Sequence, residues 1–116
     1  MIYYIAEHKD ILRYPYFCDF YLPETDTFVE INGFITHNNH FYDENNLEDC
    51  KYKKLLEEKA KISEFAKSIL RVWSQTDVEK RKCAKKNNLN YVVLWNKNDI
   101  EDWINSNFEI RHDFEV

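Results

Sequence analysis

The chain has 116 residues, of which 16% are aromatic and 32% charged, and it carries a net charge of −5. This length allows one hydrophobic core with little room for a second, so we expect a single domain over residues 1–116. One glycine and two prolines argue against a disordered protein, and three scattered cysteines show neither zinc-ligand spacing nor a disulfide framework. We therefore expect a protein of a reducing cytoplasm, without a signal peptide or a membrane-spanning segment.

The charges are segregated along the chain. Residues 1–50 carry 2 basic and 10 acidic side chains, residues 51–90 carry 12 basic and 5 acidic, and residues 91–116 carry 2 basic and 6 acidic. A basic central segment beside an acidic one suits a protein that binds a phosphate backbone and holds a cation. A solvated, lysine-rich helix is the alternative interpretation.

The first predicted elements are two strands over residues 17–22 and 27–31, joined by a polar turn that begins at Pro23. Gly33 then predicts either a backbone angle that other residues avoid or a close approach to the site. Residues 38–49 are polar and rich in asparagine, which indicates a loop.

The second half of the chain predicts helices around one buried strand. Apolar residues recur at three- and four-residue steps over 51–72, which indicates a helix. Thr76, with Glu79 three residues later, predicts the N-cap of a second helix that ends near Lys86. A strand over residues 91–95 and a last helix over residues 100–105, capped by Asp99, complete the predicted order.

Two carboxylates stand in strands that are otherwise rich in Phe, Tyr, Leu, Val and Ile. Asp19 lies in the first strand and Glu30 near the end of the second. Because an unpartnered buried carboxylate is costly, we expect the two to converge on one point, where their oxygens would suit a divalent cation. With a histidine segment from Thr36 to His40 and an acidic and basic segment from Trp73 to Arg81 downstream, the order suggests a metal-dependent phosphodiesterase.

Several segments together resemble a known group of nucleases. They are Tyr14-Pro-Tyr-Phe-Cys-Asp-Phe-Tyr-Leu-Pro23, Phe28-Val-Glu-Ile-Asn-Gly33, Thr36-His37, and the segment from Trp73 to Tyr91. In this order and spacing the chain is similar to the phage-type homing and restriction-like endonucleases. These are related to the very-short-patch mismatch-repair endonucleases of the PD-(D/E)XK superfamily. The resemblance covers roughly residues 14–96 and implies an α/β fold: a restriction-endonuclease-like mixed β-sheet flanked by helices, with the site on its central strands.

The resemblance implies Mg²⁺-dependent cleavage of double-stranded DNA, with Mn²⁺ as a substitute, and it assigns roles residue by residue. Asp19 and Glu30 correspond to the metal ligands, and the main-chain carbonyl of Ile31 also faces the metal. The superfamily usually has a lysine two residues after the second acid; here that residue is Asn32, which is either a catalytic residue that can only hydrogen-bond the attacking water or a turn residue before Gly33. In the mismatch-repair branch a histidine paired with an aspartate handles the proton, and His37 and Asp77 match those two positions.

The remaining expectations concern DNA contacts and partners. Phosphate contacts are expected from four cations of the second predicted helix: Lys80, Arg81, Lys85 and Lys86. Because so small a domain has few elements to read base edges, sequence specificity would need a homodimer, a further DNA-binding domain or another partner. A phage-encoded protein acting in the host cytoplasm, with no membrane partner, is the implied setting.

Two residues are weaker candidates for catalysis. The family places an acid on a helix before the first strand; only Glu7 is available, and the 12 residues to Asp19 leave little room for that helix. An N-terminally truncated domain is therefore one alternative. His40 is a second candidate histidine. A non-catalytic remnant of the nuclease scaffold, which binds DNA or protein, is the main rival interpretation, and a small phage interaction protein is a third.

Overall fold

A computed structural model describes residues 5–10 and 12–107; for residues 5–10, 34 and 35 it describes the backbone alone. The strands of these ranges are β1 (Ile5–Asp10), β2 (Tyr14–Leu22), β3 (Thr27–Ile31) and β4 (Asn90–Leu94). The helices are α1 (Phe34–His37), α2 (Leu47–Lys59), α3 (Glu64–Arg71), α4 (Asp77–Lys86) and α5 (Lys97–Asn107), with a π-helical segment, Val72–Thr76, between α3 and α4. The fold is mixed α/β, as predicted at this level.

The strands form one sheet in the order β1-β2-β3-β4. The first three are antiparallel neighbours, and β4 pairs in parallel with β3. A parallel return requires a long crossover, which the helices from α1 to α4 provide. The two strands that carry Asp19 and Glu30, β2 and β3, are therefore the central strands of the sheet.

Helices cover both faces of the sheet. On one face a buried cluster of Tyr14, Cys18 and Phe28 packs against Cys83 of α4 and against Leu89. On the other face Leu22, Val29 and Leu94 pack against Ile100 and Trp103 of α5. A third cluster, of Leu56, Ala66, Ile69 and Trp73, joins α2, α3 and the π-helical segment. The layered arrangement buries an apolar side of each element, which is the usual basis of an α/β fold.

The sheet is larger than the sequence pattern indicated. β2 begins at Tyr14, three residues earlier than predicted, and β1 was not predicted. Pro15 argues against a central strand at this point, but here β2 pairs with β1 through Tyr14, while its pairs with β3 begin at Phe20. The start of β2 is therefore paired on one side only, and Pro15, which has no N–H, interrupts no pairing with β3 there.

The predicted helix over residues 51–72 is wrong, because the chain forms two helices there. α2 ends at Lys59, and Ser63 caps α3: its backbone is extended and its side chain accepts a hydrogen bond from the N–H of Ala66. Serine at this position satisfies an N–H group that otherwise lacks a partner. The apolar periodicity continued across the break, which concealed it.

Thr76 does not cap α4 as predicted. Its backbone is helical and its side chain makes no capping hydrogen bond, because the π-helical segment continues α3 directly into α4. A π-helical turn inserts one residue per turn and rotates the side chains that follow it, and such turns are common at functional sites. Here the insertion sets the direction of Asp77, the first residue of α4.

Two asparagines cap α2 and α5. The predicted loop over 38–49 ends early, because Asn46 caps α2 by accepting from the N–H of Asp49. Likewise α5 starts at Lys97, and Asn96 rather than Asp99 is the cap: its side chain accepts from the N–H of Asp99 at 2.8 Å. Among the helices of the described ranges, none combines the length and apolar character that a membrane span requires.

Candidate active site

Asp19 and Glu30 face each other across the two central strands. The pairs Phe20–Val29 and Tyr21–Phe28 set a register whose next step places Asp19 opposite Glu30. Each carboxylate bonds to the main chain of the other strand. The N–H of Asp19 donates to Glu30 Oε1 at 3.0 Å, and the N–H of Ile31 donates to Asp19 Oδ2 at 2.7 Å. Side chains thus replace the backbone ladder here, which brings the two acids to one place.

The strand is irregular at this place. Cys18 and Tyr21 both pack in the cluster with Phe28 although they are three residues apart. Side chains of a regular strand alternate between faces, so the alternation is interrupted between these two residues. Asp19 lies within the interruption and is exposed, whereas Glu30 is 3% exposed.

Glu30 has further partners that offset its burial. The Tyr14 hydroxyl donates to Oε2 at 2.7 Å, and the Lys80 ammonium donates to the same oxygen at 2.8 Å. Tyr14 also shares a hydrogen bond of 3.0 Å with the hydroxyl of Tyr91. A buried carboxylate requires this kind of paired and hydrogen-bonded surrounding. The two tyrosines were not predicted as part of the site, because aromatic residues in strands ordinarily signal core.

The hydroxyls of these tyrosines remain protonated over the ordinary pH range. Burial raises the pKa of Tyr14 well above its usual range, and the neighbouring Tyr91 and Glu30 raise it further. Burial also raises the pKa of Tyr91, and the charges of Glu30 and Asp77 act in the same direction. Tyr14 is therefore a fixed hydrogen-bond donor to Glu30. Tyr91 lies close enough to Glu30 and Asp77 for their charges to raise its pKa.

His37 and Asp77 are in contact, as the resemblance implies. The distance from His37 Nδ1 to Asp77 Oδ2 is 2.5 Å, and the exposed fractions of the two side chains are 22% and 4%. His37 ends α1, which follows β3 after two residues, and Asp77 begins α4. The carboxylate fixes the ring orientation, and the bond at Nδ1 leaves Nε2 as the nitrogen available for other partners.

Helix α4 joins this pair to the carboxylates. Asp77 and Lys80 are three residues apart and therefore share one face of the helix. Asp77 contacts His37 and Lys80 contacts Glu30. The two pairs, His37–Asp77 and Glu30–Lys80, consequently meet α4 within about one helical turn of each other.

The end of β3 differs in part from the prediction. Asn32 is buried and its N–H donates to the carbonyl of Leu94 at 2.8 Å, which extends the parallel pairing by one residue. The backbone angle predicted for Gly33 is wrong, because its φ is not positive; among the described atoms of the protein, none lies within 4 Å of a Cβ built there. The left-handed conformations nearest to the site occur at Asn38 and Asn39, directly after α1, where asparagine tolerates them better than most residues.

His40 has a different partner from His37. Its Nε2 lies 2.7 Å from Asp49 Oδ1, and the second oxygen of Asp49 accepts from the N–H of Asp43. The carbonyl of His40 accepts from the indole N–H of the fully buried Trp73 at 2.8 Å. These contacts hold the loop that precedes α2, and in this arrangement His40 has a structural role.

The four residues predicted to contact DNA lie in different surroundings. Lys80 contacts Glu30, while the Arg81 guanidinium lies 4.3 Å from the centre of the Phe41 ring. Lys85 and Lys86 are exposed in the last turn of α4. Glu7 lies in β1, and its side chain is outside the described residues.

The donors near Asp19 fit a hard cation with few protein ligands. The described part of the chain contains no group of three or more His, Cys, Asp and Glu side chains placed to hold one metal ion. Mg²⁺, however, commonly binds through one or two carboxylates and keeps several waters. Asp19 offers an exposed carboxylate, one oxygen of which accepts a hydrogen bond from the N–H of Ile31. Glu30 Oε2 already accepts two hydrogen bonds, so a shared cation would use Oε1 or displace Lys80.

Comparison of the chain with protein-family models, with curated proteins and with solved structures found no match. The functional assignment therefore depends on the site itself.

Proposed function

We propose that this protein is a metal-dependent DNA endonuclease of the PD-(D/E)XK superfamily, in the branch of the phage-type homing and very-short-patch repair endonucleases. The observation that carries the proposal is the convergence at α4, where Asp77 binds His37 and Lys80 binds Glu30 one turn later. The mixed sheet with helices on both faces, and two acids on its central strands, support a restriction-endonuclease-like fold.

The proposed chemistry is hydrolysis of a phosphodiester bond by water. Mg²⁺, when bound, would polarise the scissile phosphate and stabilise the leaving oxygen. Asp19 and the Ile31 carbonyl would hold the cation, and Glu30 would complete its coordination through Oε1. His37 would accept the proton of the attacking water at Nε2, because its Nδ1 is bound to Asp77.

In this mechanism Lys80 would also supply the positive charge that the superfamily usually takes from another lysine. The resemblance expects a lysine two residues after Glu30, and Asn32 there can only donate and accept hydrogen bonds. Lys80 reaches the same carboxylate from α4 at 2.8 Å and brings a positive charge to the site. Lys85 and Lys86, exposed at the end of the helix, would neutralise phosphates away from the reacting bond.

A nuclease scaffold that binds DNA without cleaving it is the second candidate. One observation favours it: Lys80 and Tyr14 already satisfy Glu30 Oε2, so the acid is stable without a cation. The two functions differ in one measurable property, which is metal-dependent strand cleavage.

Cleavage of supercoiled plasmid DNA in Mg²⁺ and in Mn²⁺ tests the proposal. We expect the wild type to nick the plasmid and Asp19→Asn to abolish nicking with an unchanged thermal midpoint. The asparagine oxygen can still accept from the N–H of Ile31, so the fold keeps this hydrogen bond. Glu24→Gln, which removes an exposed acid in the turn after β2, is the matched control.

Two results would contradict the proposal. One is wild-type protein that binds DNA but cuts none in either metal, which would favour the binding scaffold. The other is Asp19→Asn protein that cuts as fast as the Glu24→Gln control, which would remove Asp19 from the reaction.

A further inference from the structure

A cleft beside the candidate active site has the features of a nucleotide site. It lies between the loop that precedes α2 and one side of the helix that runs through the π-helical segment into α4, and its volume is about 620 Å³. Small-molecule sites typically enclose about 300–1,000 Å³. We call it the loop–α4 cleft and define it by Phe41, Tyr42, Asp43, Lys53, Arg81 and Lys82.

The cleft and the carboxylates lie on neighbouring sides of helix α4. Asp77 and Lys80 point to His37 and Glu30, whereas Val78, Arg81 and Lys82 line the cleft. Successive residues of an α-helix are rotated by about 100°, so the two sets occupy neighbouring sides of the same turns. A DNA strand at the carboxylates would therefore pass close to the cleft.

The cleft presents planar groups of the kind that stack on nucleobases. The Arg81 guanidinium lies over the Phe41 ring at 4.3 Å, and its Nη2 donates weakly to the carbonyl of Tyr42 at 3.4 Å. Phe41 also packs against Trp95 in an edge-to-face arrangement, with ring centres 5.0 Å apart. Aromatic rings and arginine planes are the usual stacking partners of unpaired bases. Arg81 is therefore held in place rather than extended into solvent.

The charges of the cleft are mixed. Lys53, Arg81 and Lys82 supply three cations, and the Lys53 ammonium lies 5.4 Å from the centre of the Tyr42 ring. Asp43 and Glu44 supply two carboxylates at the loop side. Such acids would repel a bare phosphate backbone, but they accept hydrogen bonds from the exocyclic amino group of a base such as cytosine. The combination matches a nucleotide better than a simple anion.

We propose that the loop–α4 cleft binds one unpaired nucleotide, with the base stacked against the Arg81–Phe41 pair, the phosphate near Lys53 and Lys82, and a base amino group at Asp43 or Glu44. The inference rests on the proposed function, because a DNA substrate would supply the nucleotide. An unpaired nucleotide held here would position the neighbouring phosphodiester at the carboxylates and would favour substrates with a bulge or a single-stranded end.

Binding of mononucleotides, followed by amide NMR shifts without metal, tests the cleft independently of cleavage. The probes are dCMP, dTMP, deoxycytidine and inorganic phosphate. We expect dCMP to shift the amides of residues 41–45 and 78–82 and to bind more tightly than the other three. Arg81→Ala and Phe41→Leu should each weaken dCMP binding about fivefold or more, the loss expected when one stacking partner is removed. Lys67→Met, an exposed cation of α3 outside the cleft, is the control.

Several outcomes would overturn the inference. Equal effects of phosphate and dCMP would reduce the cleft to an anion site, and equal binding of dTMP and dCMP would remove the role of the carboxylates. Shifts scattered away from these residues, or unaffected by Arg81→Ala in a protein whose other amide signals are unchanged, would exclude the cleft.

A DNA experiment separates this inference from the proposed function. Without metal, we expect the wild type to bind a duplex with one unpaired cytosine at least about fivefold more tightly than a fully paired duplex of equal length, and Arg81→Ala to remove the preference. Metal-dependent cleavage with no such preference and no dCMP shifts would leave the nuclease proposal intact and reject the cleft. Nucleotide binding at the cleft without cleavage in Mg²⁺ or Mn²⁺ would support the cleft and reject the nuclease proposal.

Discussion

Lys80 Nζ lies 2.8 Å from Glu30 Oε2, across 50 residues of sequence, and this ion pair ties α4 to the central strand β3. The exposed fractions of the two side chains are 19% and 3%, so the pair is largely shielded from water. Ion pairs in such positions are costly to break from one side, because the remaining charge stays buried. The contact also places a cation at the carboxylate that the proposed reaction uses.

Removing this cation should destabilise the fold. We expect Lys80→Met to lower the free energy of unfolding by about 2 kcal/mol, since Glu30 would keep its bonds from Tyr14 and Asp19 but lose its counter-charge. Urea unfolding measures the loss, and Lys82→Met, an exposed cation of the same helix, should change it by less than about 0.5 kcal/mol. In a double-mutant cycle with Glu30→Gln the two effects should not add. Equal losses in the two lysine variants would contradict the ion pair.

The two histidine–aspartate pairs should differ in their effects on cleavage. We expect His37→Gln and Asp77→Asn to slow metal-dependent cleavage by about 10²–10⁴-fold, because the proposed base would be absent or wrongly oriented. Asp77→Asn should also change the shape of the pH–rate profile, which a purely structural residue would not. His40→Gln should leave the cleavage rate within a few fold and instead lower the thermal midpoint. Comparable slowing in the His37 and His40 variants would refute this assignment.

Stability should fall in alkaline solution. Burial raises the pKa of the Cys18 thiol from 9.0 to about 12, so the unfolded chain loses this proton at a lower pH than the folded chain does. The associated stability is complete below about pH 9 and is lost as the pH rises towards 12. Tyr14 and Tyr91, whose pKa values are also raised, act in the same direction.

A serine in place of Cys18 isolates the contribution of the thiol. Its single hydroxyl hydrogen can reach the carbonyl of Phe20 or of Val29, the two acceptors within reach of the thiol, but the hydroxyl does not titrate in this range. Between pH 8 and about pH 10.5, Cys18→Ser should lose about 2 kcal/mol less unfolding free energy than the wild type. Urea unfolding across this range, with Cys50→Ser as the control, measures the difference. Identical pH profiles for Cys18→Ser and the wild type would contradict it.

The break between α2 and α3 predicts an unequal effect of two hydroxyl residues. Ser63→Ala should cost about 1 kcal/mol of stability, because it removes the side chain that accepts from the N–H of Ala66. Thr76→Ala should cost less than about 0.5 kcal/mol, since its hydroxyl caps no helix. Thermal or urea unfolding of the two variants gives the ranking. The reverse ranking would indicate one continuous helix up to Thr76.

Local patterns predicted the mixed α/β composition and several elements. Two segments rich in aromatic and β-branched residues, joined by a polar turn, placed the strand Thr27–Ile31 at its observed bounds and most of β2. Two acids in apolar strands signalled a shared site, because carboxylates in such surroundings need partners. The resemblance added the contact between His37 and Asp77, which the structure contains. These features depend on side-chain chemistry within a few residues, or on a motif already known from other proteins.

The tertiary structure decided the features that join distant residues. Helical spacing puts Lys80 and Lys82 on different sides of α4, but only the packing of this helix on the sheet turns Lys80 towards Glu30 and leaves Lys82 at the loop–α4 cleft. In the same way His40 and His37 look alike in sequence, and only folding gives them Asp49 and Asp77 as separate partners. Ion pairs and clefts depend on how whole helices dock on the sheet. That docking is set by packing in the three buried clusters, which short-range patterns do not encode.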